Sequence, residues 1–424
     1  MRMRNNPEAH RRPYIPYLSS FVVVQKKKKI TSGIPFSHPG PSNMLDSILT
    51  SPLIHNCEPI VWHLASALIF ILIIHQPHKS RWLFLPLILL PLIQCYNTVD
   101  QLPGGLDWIY AFTSIVTITH TTSVLYIEEW SVPPPKTKSG EKWNVPTAFK
   151  LWMDPRRITY IKVQSDVESP TQYQRLIFVI RGLSQILILS VIYTAIELLL
   201  LLLDPSPSNF ALPNQTYVHF RLDRQAIFRT VYAFHWAWLT FLILTVAHTI
   251  MSIIFVGILQ FDAPSEWPSL YGSPLKFTSV RSFWGQFWHR LGSPSQASYG
   301  RLFSRRVLKL SANGSTEKVF LAFWIFLVSG ITHVFVSWKT EPKADDHFSD
   351  MRFLIVNFLG GVVESLVVKW AKGGRWGKVK KQGVFEEFIG FLWVFFFFYV
   401  TVPPYQFPVL YKTAVERAKV GMSI

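Results

Sequence analysis

Residues 319–338 read VFLAFWIFLVSGITHVFVSW, twenty residues without an Asp, Glu, Lys or Arg. As a helix they extend about 30 Å, the thickness of a bilayer's hydrocarbon core. A lone apolar stretch satisfies its backbone in lipid only as a helix. The segment therefore predicts a transmembrane helix with one titratable group, His333. An ionisable side chain at that depth is costly and points to function. Ser329 and Gly330 precede it by four and three positions and share its face, so small side chains flank the imidazole. Spacing alone gives equal weight to a histidine satisfied by an interhelical hydrogen bond.

The blocks on either side repeat the pattern. Residues 60–76, 82–97, 107–127, 176–203, 228–260, 352–369 and 388–407 are similarly apolar, giving about eight spans in all. Pro86 and Pro91 predict a kink in the second. The chain is 49% apolar and 16% charged, well below the ~25% charged residues of soluble domains. The fold class is all-α: a polytopic helical membrane protein in the lipid bilayer.

Loops 128–175, 261–317 and 370–387 are rich in Lys and Arg, whereas 204–227 and 339–351 are poorer in them. The positive-inside bias puts the basic loops in the cytosol. It also accounts for the net charge of +17 without a nucleic-acid partner. Strict alternation then puts the N-terminus in the lumen, at odds with the basic, Pro- and Ser-rich residues 1–43. That tail reads as disordered. Met44 opens a more typical start, MLDSILTSP, so 1–43 are expected to be a gene-model extension and 44–424 a single domain. The sequon Asn214-Gln215-Thr216 falls in a predicted lumenal loop, and Asn214 is the expected glycosylation site. Two cysteines, Cys57 and Cys95, supply neither a disulfide framework nor a cysteine metal site. No metal and no bound cofactor are expected.

The loop before the histidine span contains SVRSFWGQFWHR, residues 279–290. At 100° per residue, Phe277, Val280, Trp284, Phe287, Trp288 and Leu291 fall within a sector of about 100°. This predicts an amphipathic helix over about 278–291, too short to span and suited to the membrane interface. His289 lies off that face, on the side of Gly285 and Ser282. Gly285, one turn earlier, leaves bare backbone beside the imidazole, which a surface anchor does not need. Arg281, Arg290, Arg301, Arg305 and Arg306 read most simply as topology signals; they would also draw an anionic ligand.

Together, RSFWGQFWHR and, some forty residues on, FLVSGITHVF resemble the wax synthase-like branch of the membrane-bound O-acyltransferases. That branch shows an F-W-G-x-x-W-H core in a cytosolic loop followed by an apolar S-G-x-x-H helix, and the resemblance covers about 265–340. The run SPLKFTSVRSFWG is similar to fungal enzymes that acetylate terpenoid or meroterpenoid alcohols. Gln286-Phe287 departs from the pattern, since a basic residue is common there. The resemblance implies that His333 is the general base and His289 the second polar position. Trp284 and Trp288 would surround the acyl-donor entrance with Gly285, while Arg281 and Arg290 would meet the CoA phosphates. Acyl-CoA, preferably acetyl-CoA, would be the co-substrate and a lipophilic alcohol the acceptor, in the endoplasmic reticulum membrane. A long-chain wax ester synthase is the alternative within this class. A neutral imidazole, the form burial favours, can take a hydroxyl proton.

Other signals weigh less. Glu364, mid-span, and Ser329 are candidates for polar cavity groups. Glu197 reads as a helix-end or cavity residue, and His235 and His248 as packing or interfacial residues. His219 and Asp223 in HFRLD match a soluble acyltransferase pattern whose partner DFGWG is absent. No G-x-S-x-G elbow, P-loop or H-E-x-x-H motif occurs. A proton-coupled transporter and a membrane scaffold are the readings of another class.

Overall fold

The computed structural model describes residues 52–102, 105–133, 143–158, 170–218, 220–342, 344–371 and 383–419. Residues 1–43 and Met44 lie outside them, as does His219. The long helices are α1 (Pro52–Ile74), α2 (Leu85–Thr98), α3 (Leu106–Thr122), α4 (Val145–Met153), α5 (Gln172–Leu202) and α6 (Arg224–Ser252). They continue as α7 (Ser293–Arg306), α8 (Ser315–Thr340), α9 (Ser349–Ala371) and α10 (Val384–Lys419). No strand occurs among the described residues. The chain is an all-α, integral, polytopic membrane protein.

Among the described residues, seven helices are long and apolar enough to cross a membrane, one fewer than expected. The missing one is α3. Thr113, Thr117, Thr119, Thr121, Thr122, Ser114 and His120 make it too polar, and its helix ends in a π turn, Ser123–Ile127. The polarity is turned inward: Ser114, Thr117, His120 and Thr121 are buried. Their hydroxyls donate to carbonyls one turn back within α3, as from Thr121 to Thr117 O. In the second span the break comes before Pro86, at a 3₁₀ turn over Trp82–Phe84, and Pro86 then occupies the first turn of α2, where its missing N–H costs nothing.

The predicted amphipathic helix over 278–291 is shorter and lies elsewhere. One α-turn, Val280–Ser282, runs into a π turn, Phe283–Phe287, and Trp288 is already extended at φ −64°, ψ 150°. The rings meet protein rather than the membrane interface. Val280, Phe283 and Trp288 are buried in a core cluster with Trp236 of α6, Phe353 of α9 and Phe398 of α10. Trp236 stacks on Trp288, centroids 5.4 Å apart. Gly272 makes the loop possible: its N–H donates to Phe287 O (2.9 Å), and a Cβ there would collide with the Gln286 carbonyl.

Several cations of the basic loops are structural. Lys150 pairs with Asp262 and Glu266, both at 2.9 Å. Arg157 bonds Glu128 (2.6 Å), Ser123 and Ser295, which braces the N-terminus of α7. At the other end of the bundle, Lys339 of α8 pairs with Asp100 (2.9 Å) and Lys412 of α10 with Asp345.

Candidate active site

α8 and α9 are consecutive antiparallel helices joined by a short connection, which brings residues near the end of one beside the start of the other. Gly330 sets how closely they approach. A Cβ at Gly330 would lie 2.6 Å from Met351 Cγ and 3.0 Å from Met351 Cα. The room beside His333 is therefore filled by the neighbouring backbone rather than left open, and this seats Asp350 against the imidazole. His333 Nδ1 lies 2.7 Å from Asp350 Oδ2. Nδ1 is therefore the protonated nitrogen that donates to the carboxylate, and Nε2 is left with its lone pair. The Tyr405 hydroxyl of α10 also bonds Asp350. The edge of Phe112 packs on the His333 ring at 4.6 Å.

His333 and His289 line one cavity of about 2960 Å³. Small-molecule sites usually enclose roughly 300–1,000 Å³, so this one has room for two substrates together. Its wall also includes Trp284, Trp288, Ser329, Gln296 and Asp350. It reaches Met153, Pro155 and Ser293 at the basic-loop end, and Lys339, Glu341 and Asp345 at the other.

His289 follows the extended Trp288, so its position owes nothing to helical spacing. Its ring meets Tyr271 edge-on at 5.7 Å, and Nδ1 is buried without a hydrogen-bond partner. Burial, then the nearby His333 and Arg156, push its pKa from 6.5 down to about 3. It is a neutral imidazole at any physiological pH.

Gln296 is a residue that the sequence reading passed over. Only 7% exposed, it projects from α7 into the cavity, and its Oε1 accepts from Ser329 Oγ at 3.3 Å. Ser329 is one helical turn from His333. That bond takes up Oε1 and leaves Nε2 to donate elsewhere.

The remaining predicted residues are placed differently. Trp284 lines the cavity and is fixed by its Nε1 donating to Asn357 Oδ1, 3.0 Å. Arg281, Gly285 and Arg290 are exposed and are not among the cavity-lining residues. Arg281 bonds Ser365 (3.1 Å), and a Cβ on Gly285 would meet nothing within 4 Å. Glu364, expected in the cavity, is outside it. Its Oε2 accepts from the Val280 backbone N–H (2.7 Å) and Trp393 Nε1 (3.1 Å), so it caps the start of the signature turn. Asn214 Nδ2 donates to Ser208 O and Asn209 O, holding the α5–α6 loop. Asp223 caps α6 through Ala226 N, and His248 packs on Trp267 at 5.1 Å.

Asp350 and Tyr405 were also missed. Asp350 stands in the first turn of an apolar helix, where an acidic residue reads as a dipole partner. Tyr405 follows two prolines in a run of aromatics. The one available signal was the short separation of Asp350 from His333.

Most of this site falls in a stretch with a family match. Residues 267–356 match the Membrane bound O-acyl transferase family. The acetyltransferase atnC of Arthrinium sp is 31% identical over 168 residues, 40% of this chain and 38% of that protein. The acetyltransferase TRI7 of Fusarium sporotrichioides is 26% identical over 38% of this chain and 37% of its own length. The acetyltransferase nanB of Aspergillus nanangensis is 30% identical over 35% and 36%. The chain thus spans less than two fifths of the length of these relatives in the matched stretch. No solved structure matches it. His289, Gln296, His333 and Asp350 all fall within the stretch that matches the Membrane bound O-acyl transferase family.

Proposed function

We propose that the protein is an acyl-CoA-dependent O-acyltransferase, transferring acetyl to a hydroxyl of a lipophilic, terpenoid-type alcohol in the endoplasmic reticulum membrane. The observation that carries this reading is the His333–Asp350 pair, its Nε2 lone pair free, in a cavity shared with His289 and large enough for two substrates.

His333 Nε2 takes the proton as the acceptor oxygen attacks the thioester carbonyl, and Asp350 stabilises the imidazolium that forms. The carbonyl oxygen becomes an oxyanion. Gln296 Nε2, with Oε1 taken up by Ser329, and the neutral His289 are the donors at hand. Collapse of the tetrahedral adduct re-forms the carbonyl and expels CoA as thiolate, which recovers the proton from His333. Direct transfer needs no acyl-enzyme.

Trp284 and Trp288 would border the acyl-donor path, with the donor entering from the basic-loop end, which the positive-inside bias puts in the cytosol. Arg281 and Arg290, exposed outside the cavity, would meet CoA phosphates only at that mouth. The names of the relatives support acetyl over a long chain. Asn214 is proposed to be glycosylated in the lumen. Microsomes carrying the protein should transfer labelled acetyl from acetyl-CoA to lipophilic alcohols, and His333→Ala should abolish transfer at equal expression. Transfer by the variant at the parent rate would end the proposal.

A further inference from the structure

The cavity wall holds a second, half-buried histidine–carboxylate pair that the chemistry above does not use. Glu197 of α5 and His235 of α6 lie Oε1 to Nε2 at 3.1 Å. Both line the cavity, with side chains 33% and 11% exposed into it. Neither makes another hydrogen bond among the described residues. Glu197 Oε2 is therefore an open acceptor.

The pair is not needed to hold its helices together. α5 and α6 already meet through Leu189, Leu239 and Leu242. Ionisable side chains in a membrane-spanning wall are rare and mark functional sites, so the pair calls for another reason. Its position supplies one. His235 is about 16 Å along α6 from the end of the bundle where the α8–α9 connection lies, and His333 about 10 Å along α8 from that end. The two polar stations sit at comparable depth. Between them lies an aromatic shelf. Trp236, next to His235, meets Phe353 at 5.0 Å and Tyr405 at 6.5 Å, and Phe353 stacks on Tyr405 at 4.5 Å. Tyr405 in turn bonds Asp350.

We propose that Glu197 and His235 form an acceptor subsite that binds a second hydroxyl, far from the one acylated, so that the preferred acceptor is a lipophilic diol with its apolar body on the Trp236–Phe353–Tyr405 shelf. The proposal rests on the acyltransferase reading. With Oε1 engaged by His235, Glu197 Oε2 is offered as an acceptor, which takes a hydroxyl rather than a carbonyl.

The test uses microsomes with the full chain, labelled acetyl-CoA, and a monohydroxylated and a dihydroxylated steroid of one skeleton, the second hydroxyl on the opposite terminal ring. The parent should favour the diol by about tenfold or more in kcat/KM, the value of one hydrogen bond to a charged group. Glu197→Ala and His235→Leu should bring the diol-to-monool ratio close to one. Should Glu197→Ala fail to assemble, Glu197→Met, of similar length and without an acceptor oxygen, gives the same ratio. A plain helix brace would lower both rates together and keep the ratio, which overturns the subsite. So does a parent indifferent to the second hydroxyl. A parent that acetylates neither steroid nor any other lipophilic alcohol overturns the acyltransferase reading itself, and the subsite with it.

Discussion

Two histidine–carboxylate pairs face one cavity, and they are wired in opposite senses. His333 spends Nδ1 on Asp350 at 2.7 Å and keeps Nε2 for a ligand. His235 spends Nε2 on Glu197 at 3.1 Å, and here it is the carboxylate that retains a free oxygen. The first arrangement presents a base. The second presents a carboxyl oxygen as an acceptor, held in place by the histidine. Residue type alone does not separate them; what differs is which nitrogen is engaged, and that follows from which helix supplies the acid.

The contrast breaks most visibly at the base. His333→Ala should lower kcat by about 10³- to 10⁴-fold, the upper range for a positioned general base. His235→Ala should not approach that loss, since no proton transfer runs through it. Equal losses in assays of acetyl transfer would erase the distinction between the pairs.

Asp350→Asn should lower kcat by up to about 10⁴-fold, the loss seen when an amide replaces the carboxylate that orients a general-base histidine. The hydrogen bond persists but the imidazolium loses its counter-charge. The measurement that separates charge from geometry is Asp350→Glu, which restores charge and should recover part of kcat.

Gln296→Leu comes next. If its amide meets the oxyanion, kcat falls about 100-fold or more with KM little changed. Ser329→Ala frees the amide to rotate and should give a smaller loss in the same direction. A change confined to KM would make Gln296 part of the ground-state binding wall only.

How far the sequence reached can be argued from these same residues. The spans were legible because lipid imposes long apolar blocks, and His333 stood out because it is the one ionisable residue in its stretch, 319–338. His289 was legible only through the motif. Its helical angle was irrelevant, since the chain leaves the helix at Trp288 after a π turn that 3.6-residue periodicity does not foresee. α3 was read as a span, although its hydroxyls return to their own backbone and its polar face turns inward. Gln296, Asp350 and Tyr405 were invisible. Each is an ordinary residue at an ordinary helical position, and each acquires meaning only from a side chain on another helix. Glu197, read as a cavity or helix-end residue, and His235, read as a packing or interfacial one, were noticed singly and not as a pair, for the same reason.

Glu364 carries the smallest expected effect and the sharpest contrast with expectation. From its mid-span position it reads as a cavity acid, yet it faces away and accepts from Val280 N–H and Trp393 Nε1. A carboxylate at the first N–H groups of a turn offsets their partial positive charge and satisfies a donor that the α-turn leaves free. Because that turn starts the segment bearing Trp284, Trp288 and His289, Glu364 acts on the site only by holding its entry. Glu364→Gln keeps an acceptor oxygen at the same place, so thermal unfolding in detergent should shift by about 1 kcal/mol or less. The rate per folded molecule should stay at the parent value. Glu364→Leu strands both donors and should destabilise by about 1–3 kcal/mol. A loss of kcat in Glu364→Gln comparable to that in Asp350→Asn would instead put a third acid in the chemistry, and would mean that the signature turn opens to bring its carboxylate into the cavity.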